Sequence, residues 1–333
     1  MNGDSNKRDC VNYICKQYQK YGECSYGDSC KFLHETNSST PIKENTLEKR
    51  VRTKRKGNAS SYLRNFLVET FGLETLRSGS GILDIAGGKG QLSFELLNVN
   101  CCQSTIFDPR DKISYDCYIK KLQSGNYFSF NESLNKFERN HQNQAQPLIP
   151  SHIKIFWTPI LWETIGLEVK NEEYYVRERN YFSEYTEFLE LSSNENFDRE
   201  SHLTMLFKEA ANCWNPKTLL TQGSATPASE ESIDIKSTTE MKELLENCSF
   251  VVGLHPDQAT EAIVDFCLLF NKPFAVVPCC VCSKQFTRRT LNGNLVRNYE
   301  QLIAHLLSKN DKIKVAVLPI SGRNQVLYWS PTF

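Results

Sequence analysis

Four residues near the start of the chain, Cys15, Cys24, Cys30 and His34, fall at the spacing C-x8-C-x5-C-x3-H. Three thiolates and an imidazole suit tetrahedral zinc, and a closed set of four leaves no coordination position for chemistry, so the spacing predicts a structural metal site. The segment ICKQYQKYGECSYGDSCKFLHE has little apolar material of its own. Metal binding must therefore supply much of its folding free energy. Cys10 lies outside the spacing and is read as a spectator.

The residues between the ligands are as informative as the ligands. Gly22 precedes the second cysteine by two, Tyr26-Gly27 follows it, and aromatics stand at Tyr18 and Phe32. On these residues the segment 9–36 resembles the CCCH zinc-finger family. The resemblance implies binding of single-stranded RNA, with bases stacking on Tyr18, Tyr26 and Phe32; the other reading of these aromatics is packing around the metal. A basic linker follows at 37–57, with six positive charges among the eight residues 49–56, ending on Lys54, Arg55 and Lys56. Such a run can neutralise phosphates, serve as a nuclear import signal, or be a solvated linker; its place after an RNA-type finger favours phosphate contact.

A second constellation begins at GILDIAGGKG. An apolar strand ends at Asp84, and Gly87, Gly88 and Gly90 let the backbone approach a ligand at the N-terminus of the amphipathic stretch QLSFELLNV. The dinucleotide fingerprint needs a glycine where Ser93 stands, and no Walker motif is present, which disfavours NAD and ATP. The segment resembles the first motif of class I S-adenosylmethionine (SAM) methyltransferases, with Ala86 where many members have the first glycine. That resemblance implies that Asp84 positions the methionine amino group and that Ala86, Gly87, Gly88 and Gly90 cradle the cofactor. It also implies a second acid at the end of the next strand, and CCQSTIFDPR supplies Asp108 for the ribose hydroxyls.

Two later loops carry the remaining reactive groups. GLHPDQATE holds His255, Asp257 and Glu261. VPCCVCSKQFTRRTLNGNLVR holds Cys279, Cys280 and Cys282, followed by Lys284, Arg288, Arg289 and Arg297. The pair resembles loops of a subgroup of RNA-modifying class I methyltransferases, ribose methylases of tRNA among them, with Leu-His after strand four and Pro-Cys-Cys after strand five. This chain departs in having Pro256-Asp257-Gln258 where relatives often have Cys-Gly. Three readings stay open: His255 or Asp257 as general base or positioning group, Cys279 or Cys280 as a nucleophile toward a pyrimidine ring, or cysteines that pack under the cofactor while His255 caps a helix. Arg288 and Arg289 are read as part of an RNA-facing surface.

The elements that must position these groups follow from patterning. SSYLRNFLVETFGLETL has helical spacing, with Ser60 or Ser61 as a possible N-cap. CSFVVGLHP, KPFAVVPCC, KIKVAVLPIS and NQVLYWSP read as strands, the last two resembling the antiparallel sixth and seventh strands of class I methyltransferases. HIKIFWTPI is the candidate third strand, inside a long insertion at about 111–238. The expected fold is α/β, a doubly wound Rossmann-like class I methyltransferase sheet over 58–333, beside a small CCCH finger.

The charges cancel, at 39 basic and 39 acidic residues, but they are segregated. Between 159 and 248 eighteen are acidic and eight basic, which makes the insertion a poor phosphate-binding surface. No apolar run is long enough to cross a membrane and no signal-peptide pattern opens the chain, so an intracellular protein, of nucleus or cytoplasm, is expected. The combined expectation is a SAM-dependent methyltransferase acting on RNA, tRNA or another structured RNA, with zinc in the finger. A non-catalytic RNA-binding adaptor that retains the methyltransferase fold and a protein methyltransferase recruited to ribonucleoprotein are the alternatives.

Overall fold

The computed structural model describes residues 34, 59–124, 147–178, 194, 196–214, 236–286 and 289–332. The chain divides into two compact units, 1–52 and 53–333. Cys15, Tyr18, Cys24, Tyr26, Cys30, Phe32, Lys54, Arg55, Lys56 and Arg288 lie outside the described residues.

The larger unit opens with helix α1 (Ala59–Arg77), then strand β1 (Ile82–Ile85), α2 (Gln91–Asn100), β2 (Ser104–Phe107), α3 (Asp116–Gln123) and β3 (Ser151–Ile153). The expected insertion contributes α4 (Pro159–Thr164), α5 (Glu172–Glu178) and α6 (Arg199–Trp214), and α7 (Thr238–Asn247) leads back to the sheet. There follow β4 (Phe250–Leu254), α8 (Thr260–Leu269), β5 (Phe274–Val277), a small hairpin of β6 (Thr290–Leu291) and β7 (Asn294–Leu295), α9 (Tyr299–Ser308), β8 (Lys314–Val317) and β9 (Gln325–Trp329).

Seven strands form one sheet in the order β3-β2-β1-β4-β5-β9-β8. The first five are parallel, in the doubly wound order. The last two close the sheet as an antiparallel pair, with β9 between β5 and β8. The chain is thus mixed α/β with a largely parallel seven-stranded sheet. Its strand order reverses between β1 and β4, and ligands of such sheets gather beyond the strand carboxyl ends at that point.

Parallel central strands are buried on both faces, and the apolar runs read as continuous for that reason. Side chains still alternate. Leu83, Ile85, Val251, Phe274 and Val276 pack toward α4 to α9, whereas Ile82, Phe250, Val252, Ala275 and Val277 pack toward α1 and α2. Asp84 falls on the α1–α2 face by the same alternation, a carboxylate at an apolar strand position. All ten residues of α8 are buried, because this crossover helix lies between the sheet and the elements of the insertion.

Three expectations change. Ser60 and Ser61 do not cap α1 but lie within it, and the Ser61 hydroxyl donates to the buried Glu95 at 2.9 Å. The third strand stops at Ile153, because Pro159 starts a helix and the residues between form a loop. In the basic loop after β5, Asn292 and Gly293 take φ of 51° and 77°, the two left-handed positions of a tight hairpin turn, and create β6 and β7.

Candidate functional site

The glycine loop turns between β1 and α2. Gly90 is the N-cap of α2 at φ 68°, where a Cβ would sit 2.9 Å from both Ile106 Cδ1 and the Tyr115 hydroxyl. At Gly87 a Cβ would come within 2.8 Å of Asp84 Oδ2, so only glycine lets the loop fold back over the carboxylate. Ala86 takes φ 53°, a left-handed conformation that disfavours a side chain.

Asp84 is 1% exposed. Its Oδ2 accepts the Ser93 hydroxyl at 2.7 Å, and Ser104 donates to Ser93 at 2.8 Å. Its Oδ1 is buried and has no partner among the described residues. Burial pushes the carboxyl up to about 7, against the Ser93 hydrogen bond and with the help of the Asp108 charge. A buried half-satisfied carboxylate is costly unless a donor meets it.

Asp108 follows β2 and is organised by its own chain. Gly88 N–H donates to Oδ2 at 2.8 Å, while the Arg110 backbone N–H and Nε donate to Oδ1 at 3.0 and 2.9 Å. Asp108 therefore ties the glycine loop to β2. With two acceptor positions per oxygen, Oδ1 is filled and Oδ2 keeps one, so the carboxylate is less free for a ribose diol than its place in the sequence implied.

A cleft of about 620 Å³ lies along the strand ends. It is lined by Ala86 to Lys89, by Asp108 and Arg110, by Ile155 to Pro159 after β3, and by Leu254 to Ala259 after β4. A recess of about 160 Å³ shares Ser60, Gly87, Lys89 and Leu254 with the cleft and reaches Asp84. The structure thus brings the glycine loop, both acids, His255 and Asp257 to one place. The wall from Phe156 to Pro159 is missing from the sequence reading, which assigned it to a strand; its Thr158-Pro159 pair is a helix-start signal that locates it.

His255 stands at φ 57° and does not cap a helix. Its Nε2 meets the Arg323 carbonyl at 2.9 Å, so that nitrogen carries the proton and ties the β4 loop to the β8–β9 turn. A neutral ring then presents Nδ1 as acceptor. Asp257, at φ 46°, accepts the Cys279 thiol at 3.0 Å. Burial first, and the hydrogen bond to Asp257 second, push Cys279 well above the ordinary thiol range. Cys280 and Cys282 are raised as well, Cys280 chiefly through Asp257 and Cys282 through burial. In this state the thiols keep their protons, which disfavours them as nucleophiles.

Arg289 is a correction. Expected on an RNA-facing surface, it is 2% exposed, with its guanidinium against Glu261 and Nη1 donating to the Val281 carbonyl at 2.8 Å. Glu261 also holds His305 Nε2 at 2.6 Å and Lys309 Nζ at 3.0 Å, and Lys309 reaches Asp265 at 2.8 Å. Burial opposes the charge on Glu261, but Lys309, the His305 hydrogen bond and Arg289 outweigh it and keep the carboxyl well below its usual range. Buried cations require such partners. Arg289 therefore fixes the cysteine loop from beneath.

For the N-terminal segment, the deciding observation is its ligand spacing together with a family match. Residues 14–36 match the family zinc finger C-x8-C-x5-C-x3-H type (and similar). The match suggests zinc as the metal of this segment and RNA as a partner. No curated protein and no solved structure matches the chain. Among the described residues no helix is long and apolar enough to cross a membrane.

Proposed function

We propose that the chain is a SAM-dependent RNA methyltransferase, in which the CCCH finger and basic linker hold RNA and the α/β unit transfers the methyl group. One observation carries this reading: a single cleft is lined by the glycine loop and Asp108 on one side and by His255 and Asp257 on the other. Its volume lies in the roughly 300–1,000 Å³ range of small-molecule sites.

The residues present fit the cofactor. The Oδ1 of Asp84, which has no partner among the described residues, suits an ammonium group, the glycine loop admits close approach, and the remaining acceptor position on Asp108 Oδ2 suits a hydroxyl. SAM supplies an electrophilic methyl group on a sulfonium when bound. What the chain contributes is alignment, because in-line placement alone removes much of the barrier for a good nucleophile. His255 Nδ1 is an acceptor for the proton of a ribose hydroxyl or base nitrogen at the reacting atom. Arg110, Lys89 and the aromatic wall at Phe156 and Trp157 narrow the approach.

Calorimetry with SAM and the full chain tests the cofactor, and comparison of methylated nucleosides in RNA from cells with and without the gene tests the substrate. Absence of SAM binding overturns the reading. Intact SAM binding with unchanged RNA nucleosides and a lost protein methyl mark redirects it to a protein substrate.

A further inference from the structure

We propose that Asp257, Cys279 and Cys280 form a second zinc site at the rim of the cleft, with the fourth coordination position left to an exogenous oxygen. The sheet register explains why these residues meet. Leu254 pairs with Val277 at the ends of β4 and β5. Asp257 and Cys280 each follow three residues later, so the two loops leave adjacent parallel strands at the same level. The carboxylate oxygen and both sulfurs lie within 4.8 Å of one another. Zinc–sulfur bonds of about 2.3 Å place tetrahedral ligands roughly 3.7 Å apart, so small rotamer changes suffice to bring the three onto one ion.

The donor set selects the metal. Two sulfurs exclude magnesium and calcium, which take oxygen, and suit zinc. Three protein ligands are the number found where zinc keeps a position open. The frame is stiff. Arg289 pins Val281 to the buried Glu261, and His255 pins the other loop to the Arg323 carbonyl. Cys279 donates its thiol hydrogen to Asp257 at 3.0 Å, a bond that zinc would replace. Binding releases two protons, Zn²⁺ plus two thiols and one carboxylate giving a dithiolate–carboxylate complex of net charge −1. Because Asp257 lines the cleft, the open position is available to water, a phosphate oxygen or a ribose oxygen there. The site does not depend on methyl transfer.

Metal content of the full chain purified with zinc is expected to be two ions per molecule. The substitutions Cys24→Ser and Cys30→Ser should remove one, and Cys279→Ala with Cys280→Ala the other. One ion in the unsubstituted chain and none after loss of the finger ligands overturns the proposal. Cobalt(II) alone, titrated into the full chain carrying Cys24→Ser and Cys30→Ser, should give a thiolate-to-cobalt charge-transfer band. Adding Cys279→Ala and Cys280→Ala should abolish it, and a band that persists places the metal elsewhere. Asp257→Asn checks the third ligand without altering either cysteine, and cobalt affinity that does not fall excludes it. SAM calorimetry on the same samples reads the methyltransferase assignment separately.

Discussion

Ser93 donates its hydroxyl to Asp84 at 2.7 Å from the first turn of α2, and so satisfies one oxygen of a carboxylate that lines a recess and whose other oxygen has no partner among the described residues. The same side chain occupies the position where a dinucleotide fingerprint requires glycine. Its size and its hydrogen bond both belong to a site built around a buried acid.

That acid makes stability depend on pH. A carboxyl raised to about 7 in the folded chain and near 4 when unfolded contributes stability that is fully present below about 4 and lost as pH rises through 7. Asp84→Asn removes this loss. Urea melts should show the variant gaining on the parent by up to about 4 kcal/mol between pH 4 and 8, and a constant difference would refute the assignment. SAM affinity of the parent should rise over the same interval, because the proposed contact with the SAM ammonium needs the ionised acid.

Asp108→Ala should weaken SAM binding by about 1.5–3 kcal/mol, through loss of charge-assisted hydrogen bonds and release of Gly88 from β2. Calorimetry that finds equal affinities would remove Asp108 from the site.

Breaking the cluster under the cysteine loop should be a stability event. Glu261→Gln or Arg289→Ala strands buried charge and should cost about 3–5 kcal/mol in denaturant melts. The salt dependence of RNA binding by the folded protein should not change for Arg289→Ala. A slope that falls by about one phosphate contact would return Arg289 to the RNA surface.

Cys24→Ser should release the finger's zinc and lower RNA affinity while leaving SAM binding intact. Neutralising Lys54, Arg55 and Lys56 should then flatten the salt slope by about 0.7 per lost single-strand phosphate contact. Equal RNA binding after both changes would show that the anchor lies elsewhere.

Ala86→Gly should stabilise the chain by about 0.5–1 kcal/mol, since relief of a left-handed alanine exceeds the entropy that glycine adds to the unfolded state. A thermal melt that moves downward would mean that the alanine methyl group packs usefully.

What was legible in the sequence was local. Asp84, the glycine loop and Asp108 lie within one β-α-β step, so a short contiguous motif carries the resemblance that groups them. Arg289 is not legible as buried because its partner Glu261 lies 28 positions away and Glu261's other partner His305 lies 44 positions from Glu261, and such pairing is tertiary. The wall at Phe156 and Trp157 resembles strand because its apolar run continues past Ile153, where pairing with β2 ends at Phe107, and only Thr158-Pro159 signals the helix beyond. The β6–β7 hairpin was announced by Asn292-Gly293 and simply outweighed by the charges around it.

The position of β9 bears on how the sheet is completed. It follows β8 in the chain yet hydrogen-bonds between β5 and β8. Until β9 docks, the five parallel strands end in an open apolar edge at β5, and β8 has no neighbour to join. A topology that places the last strand inside its predecessor therefore leaves β5 exposed to pairing with other chains until the final step of folding.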